Sequence, residues 1–336
     1  MKAIVLVGGE GTRMRPLTYT TPKQLLPLLG SPIFEDVVLH LAAHGIDEII
    51  LSLGYLPNAF IEHYPKGECR GVRLHYVVEP KPLDTAGAVR FAAEGFVTHD
   101  TFVVVNGDVL TDLDLTALIS FHRRSGAQGT IALHPVADPS RFGVVPTDSA
   151  GRVIAFVEKP ARDEAPTNLI NAGTYVFESS VLDRIPLGER VSIERTTFPE
   201  MVRDGQLFAK ADESYWLDTG TPQSYLQAHD DLLSGRRQGA QDLVNGSYIA
   251  DDAQVGAASV SASSVGSGSI LGIGVKVFNS VLLPGVHLED GCTVENSILG
   301  KHVRVGAGST IRNGSVVGDG AAVSAGVTID AEKVEA

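Results

Sequence analysis

The chain has 336 residues, room for about two domains at roughly 150 residues each. With 43% apolar and 20% charged residues it has the balance of a folded globular protein, which excludes a disordered chain. The formal net charge is −13 and no basic run exceeds Arg123-Arg124 or Arg236-Arg237, so no nucleic-acid-binding face is expected and any phosphate site must gather its cations locally. Only two cysteines, Cys69 and Cys292, are present and they lie far apart, which argues against a disulfide framework. The apolar run Ala3–Val7 is too short for a signal-peptide core, and no stretch approaches the ~20 apolar residues of a membrane span. A cytoplasmic protein without membrane contact is the expectation.

Strands and helices alternate over residues 1–235, which predicts an α/β domain with a mostly parallel sheet. Ala3–Val7 reads as a buried strand. A helix follows over Ile33–His44, with Ser31 as its cap, Pro32 at its first position, Gly45 as its stop and Ile33, Val37 and Leu41 on one face. Glu48–Leu53, Arg73–Val78 and Phe102–Asn106 read as strands, with a helix from about Thr85 to Ala93. Gly129–His134, Val153–Glu158 and Ala172–Phe177 are further strands, and Thr221-Pro222 opens a helix to about Ser234. Residues 236–246 read as a polar linker. From 247 to 336 the texture changes to Gly, Ser, Val and Ala. Val305, Ile311, Val317, Val323 and Ile329 recur every sixth residue, and Leu288 and Val294 extend the period upstream through one five-residue step at Leu299. This hexapeptide repeat is the signature of a parallel β-helix, one short strand and one turn per unit.

The strongest chemical signal is the segment Gly8-Gly9-Glu10-Gly11-Thr12-Arg13-Met14-Arg15-Pro16-Leu17-Thr18, directly after the first strand. Ligands of open α/β sheets sit at the carboxyl ends of the strands, and glycines let backbone amides approach a phosphate chain. Arg13 supplies a bidentate fork and Lys23, after Pro22, a second cation. The segment lacks the Gly-Lys-Ser/Thr ending of a Walker A loop and the glycine spacing of a dinucleotide fingerprint.

This loop resembles the signature of the sugar-1-phosphate nucleotidyltransferases, and the likeness continues in order along nearly the whole chain. Within that family it is most similar to the branch that makes GDP-mannose from mannose 1-phosphate. The resemblance implies a Rossmann-like catalytic domain followed by a left-handed β-helix. It also implies Mg²⁺ held by Asp108, which follows Asn106 and Gly107 at a strand end, and by Asp218 in Tyr215-Trp216-Leu217-Asp218-Thr219-Gly220. Gly8, Gly9, Gly11, Thr12, Arg13 and Lys23 would bind the nucleotide phosphates, with Arg13, Lys23 and Asp108 catalytic. The segment from Glu79 through Thr85 and Gly87 would cradle the base. A carboxylate at Glu79 suits guanine, whose N1–H and amino group are adjacent donors, better than uracil or thymine. The sugar phosphate would meet Asn106, Gly107, Gly143, Glu158, Lys159, Asn171 and Gly173. Two departures stand out. Asp84 occupies a position where most relatives have Gly, and Lys23-Gln24-Leu25-Leu26-Pro27 is closer to the thymidylyltransferase branch.

The implied reaction needs no enzyme nucleophile, since a sugar-phosphate oxygen attacks the α-phosphorus of GTP and pyrophosphate leaves. The same chemistry with dTTP or UTP and glucose 1-phosphate, or with GTP and an unusual sugar or cyclitol phosphate, remains open. A non-catalytic NDP-sugar-binding homologue is the alternative of another class, although such chains tend to lose the residues kept here as Arg13, Lys23, Asp108, Lys159 and Asp218. The β-helix points to a homo-oligomer.

Overall fold

The computed structural model describes residues 1–97, 100–239 and 242–336, so two positions of the expected linker lie outside the described residues. By packing, the chain divides into two compact units. One holds residues 1–9 and 34–216, the other residues 10–33 and 217–336.

The first unit is built on a mixed sheet. Its centre is four parallel strands, β1 (Lys2–Leu6), β2 (Glu48–Leu53), β3 (Val72–Val78) and β4 (Phe102–Asn106), in the spatial order β4-β1-β2-β3. Ile4 pairs with Ile50 on one side and Val104 on the other. These residues are covered on both faces, which is why the runs are continuously apolar rather than alternating. Leu169–Phe177 then runs antiparallel to β4, Gly129–Pro135 runs antiparallel to Leu169–Phe177, and Leu207–Ala211 runs parallel to Gly129–Pro135. Helix Asp84–Ala93 buries Ala86, Val89, Ala92 and Ala93 in a core shared with Tyr175, Phe177 and Phe198.

Two sequence expectations shift here. Only Val157–Glu158 of the expected Val153–Glu158 strand forms a ladder, pairing with Gly143–Val144, while Val153 makes a lone bridge to Thr147. The strand expected at Ala172 begins at Leu169, because a bulge between Asn171 and Tyr175 lets the ladder resume beyond an irregular stretch.

The second unit is a parallel β-helix of three all-parallel sheets, the arrangement of the left-handed form. Its rungs show the coil length: His287 pairs with Arg304, seventeen residues on, and Arg304 with Ala322, eighteen on. The difference arises at one corner. Between Val294 and Leu299 a single left-handed Asn296 turns the chain, whereas between Ile311 and Val317 the pair Asn313-Gly314 does so, adding the sixth residue. The anchors Leu288, Val294, Leu299, Val305, Ile311, Val317, Val323 and Ile329 all point inward, none more than 9% exposed. A buried serine column runs beside them. Two of its hydroxyls accept a backbone N–H from the next coil, Ser263 Oγ from Ser280 N–H and Ser280 Oγ from Ser297 N–H, both at 3.1 Å, so these polar atoms are buried without loss.

Residues 10–33 and the helix Pro222–Leu233 pack with the β-helix rather than with the sheet. The helix opens on a capping box between Thr221 and Ser224, and its Tyr225 hydroxyl donates to the Pro27 carbonyl. The helix of Ile33–Ala43 begins at Ile33 rather than at Pro32. Ser31 and Pro32 pair with Leu28 and Pro27 in a short antiparallel ladder.

Candidate active site

Four of the parallel strands end together, because the register Leu6↔Asn106, Leu6↔Ser52 and Leu53↔Val78 aligns their carboxyl ends. Gly8, Gly107 and Glu79 therefore leave the sheet at one edge. Gly107 N–H donates to the Leu6 carbonyl at 3.0 Å and Glu79 N–H to the Leu53 carbonyl at 2.8 Å, which extends the ladders past the strands. The two loop glycines here serve different ends. A Cβ on Gly8 would stand 3.1 Å from Glu79 Oε1 and 3.2 Å from Gly54 N, so a side chain there would press on the Glu79 carboxylate and the facing backbone. A Cβ on Gly9 would meet nothing within 4 Å, leaving its backbone open to a ligand.

Glu79 is fixed in place, since Ser52 Oγ donates to its Oε1 at 3.0 Å and Leu83 N–H to its Oε2 at 3.1 Å. Each oxygen keeps a further lone-pair site. Ser52 and Leu83 carried no sequence signal, because one is a strand residue and the other contributes only its backbone. Asp84, the departure from the family pattern, adopts φ +60°, the left-handed conformation glycine favours, and its carboxylate accepts Thr85 N–H at 2.8 Å. The turn thus keeps a glycine-like backbone. Gly87 has a packing role, since a Cβ there would stand 2.3 Å from the Glu189 carbonyl.

Among the residues expected to meet the sugar phosphate, Glu158 pairs with Gly143 across the short ladder, and Lys159 Nζ lies 3.1 Å from Glu158 Oε1. The close approach that Gly143 permits is that of the Phe156 ring, 2.5 Å from where a Cβ would be. Gly173, at φ +74°, lies against Asn106, whose Nδ2 would stand 2.6 Å from a Cβ. Asn171 braces the bulge by donating to the Tyr175 hydroxyl at 2.9 Å and accepting Gly173 N–H at 3.0 Å. Trp216 is a packing residue, with its indole N–H on the Ala172 carbonyl and its ring stacked on His134. Asp108, 8% exposed, follows Gly107 at the same edge.

Glu194 was not singled out from the sequence. Burial pushes its carboxyl above the ordinary carboxylate range, and Glu158 and Asp84 raise it further. Ser192 Oγ donates to its Oε2 at 3.0 Å. A single Glu in Ser-Ile-Glu-Arg gives no periodicity or spacing from which to find it.

The other unit holds the residues that follow Gly9 in the sequence. Gly11 at φ +60° precedes the short turn Thr12–Met14, and Thr18 Oγ1 donates to the Gly11 carbonyl at 2.8 Å. The Lys23 stem lies beside Gly11, with its Cβ 3.5 Å from where a Gly11 Cβ would be. Arg13 and Asp218 are brought together: Arg13 Nη2 stands 3.9 Å from Asp218 Oδ2, while Asp218 Oδ1 accepts Gly220 N–H at 2.7 Å. Gly220 makes this close approach possible, since a Cβ there would stand 2.6 Å from Arg13 Nη2. Among the described residues, no group of three or more His, Cys, Asp or Glu is arranged to hold a metal, and no helix is long and apolar enough to cross a membrane. His40 and His44 lie with ring centroids 5.0 Å apart, and His44 Nδ1 is bonded to Thr116. Both cysteines are free and buried.

These features define a class: an open α/β sheet bearing a glycine loop and acids at its carboxyl edge, joined in one chain to a hexapeptide β-helix. The nucleotidyl transferase family model matches residues 2–235, and the model of the GMPPB C-terminal domain matches residues 243–336. The chain is similar to a mannose-1-phosphate guanylyltransferase of Mycobacterium tuberculosis, 41% identical over 87% of this chain and 82% of that protein. It is also similar to a UTP–glucose-1-phosphate uridylyltransferase of Synechocystis, 32% identical over 99% of this chain and 91% of that protein. Among solved structures, HddC from Yersinia pseudotuberculosis complexed with GMP-PN matches 68% of this chain and 97% of that chain, with TM-score 0.59 and 28% identity. The chain belongs to the nucleotidyl transferase family and is an enzyme of that kind.

Proposed function

We propose that this enzyme transfers GMP from GTP to mannose 1-phosphate, giving GDP-mannose and pyrophosphate. The observation that carries the chemistry is the glycine turn at the carboxyl edge of the sheet, with Gly9 open to a ligand and Glu79 fixed beside Gly8. A phosphate oxygen of the sugar 1-phosphate attacks the α-phosphorus, a new P–O bond forms, and the bond to the pyrophosphate oxygen breaks. Arg13 and Lys23 neutralise the triphosphate, and Lys159 neutralises the incoming sugar phosphate. Glu158 and Glu194 read sugar hydroxyls, with Asn106, Asn171 and the Gly143 and Gly173 backbones shaping that side. The two carboxylate oxygens of Glu79 accept the adjacent guanine donors.

Mg²⁺ belongs to this reading, with Asp108 and Asp218 as its protein ligands. Hard oxygen donors of this kind suit a cation that takes one or two carboxylates and otherwise phosphate oxygens and water. When bound, it neutralises charge on the leaving pyrophosphate. The acidic composition and the two free thiols fit the cytoplasm, and the β-helix fits a homo-oligomer. Light scattering that gave only the monomer mass would contradict the oligomer.

The Synechocystis relative favours one second reading, UTP with glucose 1-phosphate on the same residues. Equilibrium titration of GTP, UTP and dTTP in Mg²⁺ separates the two. GTP bound at least tenfold tighter supports the guanine assignment of Glu79, whereas UTP or dTTP bound tenfold tighter replaces it while leaving the reaction class in place.

A further inference from the structure

Residues 10–33, which carry Arg13 and Lys23, form three short turns, Thr12–Met14, Leu17–Tyr19 and Lys23–Leu25, none long enough to hold itself. Their anchors come from the end of the β-helix, within one compact unit. Lys333, on the terminal strand Lys333–Val334, donates from Nζ to the Arg13 carbonyl at 2.9 Å. Asp319 accepts the Thr20 hydroxyl at 2.6 Å on one oxygen and Lys301 N–H at 2.8 Å on the other. Lys301 Nζ bonds Thr21 Oγ1 at 3.0 Å, and the Tyr19 hydroxyl donates to Glu335 at 2.8 Å. Pro16 rests on Gly318, where a Cβ would stand 3.0 Å from Pro16 Cβ.

The β-helix closes its coils without these groups, through backbone bonds such as Gly318 N–H to the Val334 carbonyl. Five outward-facing contacts converge on Arg13, Pro16, Tyr19, Thr20 and Thr21, and one of them addresses the backbone of Arg13 itself. We propose that Lys333, Asp319 and Lys301 are positioning residues for the phosphate loop: the terminal coil orders residues 13–21 before substrate arrives, so that nucleotide binding does not bear the cost of ordering them. The proposal rests on the reading of Arg13 and Lys23 as triphosphate ligands.

The test uses the full chain with Lys333→Ala, Lys333→Arg and Gly318→Ala, and Lys276→Ala as control. Lys276 is exposed on the middle of the β-helix, three rungs before Thr328. Amide exchange over residues 10–24 is measured without substrate, then KM and kcat for the nucleotide. Loss of one charge-assisted bond at an exposed site is expected to raise the nucleotide KM about three- to tenfold, with kcat changed less than about twofold and Tm preserved. Exchange in the loop rises in parallel, Lys333→Arg restores both, and Gly318→Ala, which displaces Pro16 without removing a bond, moves both in the same direction. Loop exchange and KM unchanged from wild type overturn the proposal. So does faster exchange with normal kinetics, or an equal rise in KM for Lys276→Ala. If wild type turns over no nucleotide and sugar-phosphate pair, the functional reading fails instead, and the exchange arm still decides whether the coil orders the loop.

Discussion

The sheet unit and the β-helix unit are stabilised by different patterns of apolar residues. In the sheet, continuous apolar runs such as Ala3–Val5 and Val103–Val105 are covered on both faces, and chemistry begins where those runs stop, at Gly8, Glu79 and Gly107. In the β-helix the six-spaced anchors share the core with a second set of inward residues such as Val286, Cys292, Val303 and Ala321, and exposed positions are interleaved among them. The difference teaches that a strand end is informative about function in the first pattern, whereas in the second the functional positions hide among the outward ones. Lys301, Asp319 and Lys333 are of that kind.

The largest expected effect falls on the sheet edge and the loop. Arg13→Ala and Asp108→Asn should each lower kcat by roughly 10²–10³, the usual result of removing one electrostatic stabiliser, with unfolding midpoints near wild type. Near-normal turnover in both would break the site assignment. The complementary change in the β-helix is Leu299→Ala, at the five-residue step. It should cost about 2–5 kcal/mol of stability in denaturant titration while leaving the surviving folded enzyme's kcat within a few-fold.

Smaller effects sharpen the contrast. His229, in the helix that packs with the β-helix unit, is buried, which lowers its pKa from 6.5 to about 3. The unfolded chain binds a proton between these values that the folded chain does not. Stability is therefore fully present above pH 6.5 and falls as the pH drops, by about 2 kcal/mol between pH 7 and 5. Urea midpoints at the two pH values should show this limb, and His229→Asn should flatten it. Burial also lowers His122 in the sheet unit, but there Glu178 at 3.0 Å opposes the shift. A still smaller effect is expected for Gly9→Ala. The space beside Gly9 is open, so the protein should fold normally and lose about tenfold in nucleotide affinity, 1.4 kcal/mol. Unaltered affinity would mean that no ligand approaches there.

Much of this was legible in the sequence, for reasons particular residues make clear. Glu48–Leu53 and Phe102–Asn106 form the strands that their apolar runs announced, and the sixfold spacing from Leu288 to Ile329 gave the β-helix core, including its short step. The loop residues Gly8 to Arg13 drew attention as glycines and cations directly after a strand, and Arg13 stands beside Asp218. What escaped was non-local. The boundaries at 235 and 247 follow the linear order of textures, but residues 10–33 fold with the β-helix through partners about 300 positions away, such as Thr20 with Asp319. Glu194 was not singled out for the same reason, since the burial that raises its carboxyl arises only in the fold. Gly143 and Gly87 were noticed as glycines, yet the groups that crowd them, Phe156 and the Glu189 carbonyl, emerged only from packing.

The central claim is the reaction itself, and pyrophosphate release tests it most directly. Wild-type enzyme in Mg²⁺ is given each of GTP, UTP, dTTP, ATP and CTP with mannose 1-phosphate and with glucose 1-phosphate. Release confined to GTP with mannose 1-phosphate is the predicted result. Release with neither sugar phosphate, from an enzyme that still binds nucleotide, would contradict it.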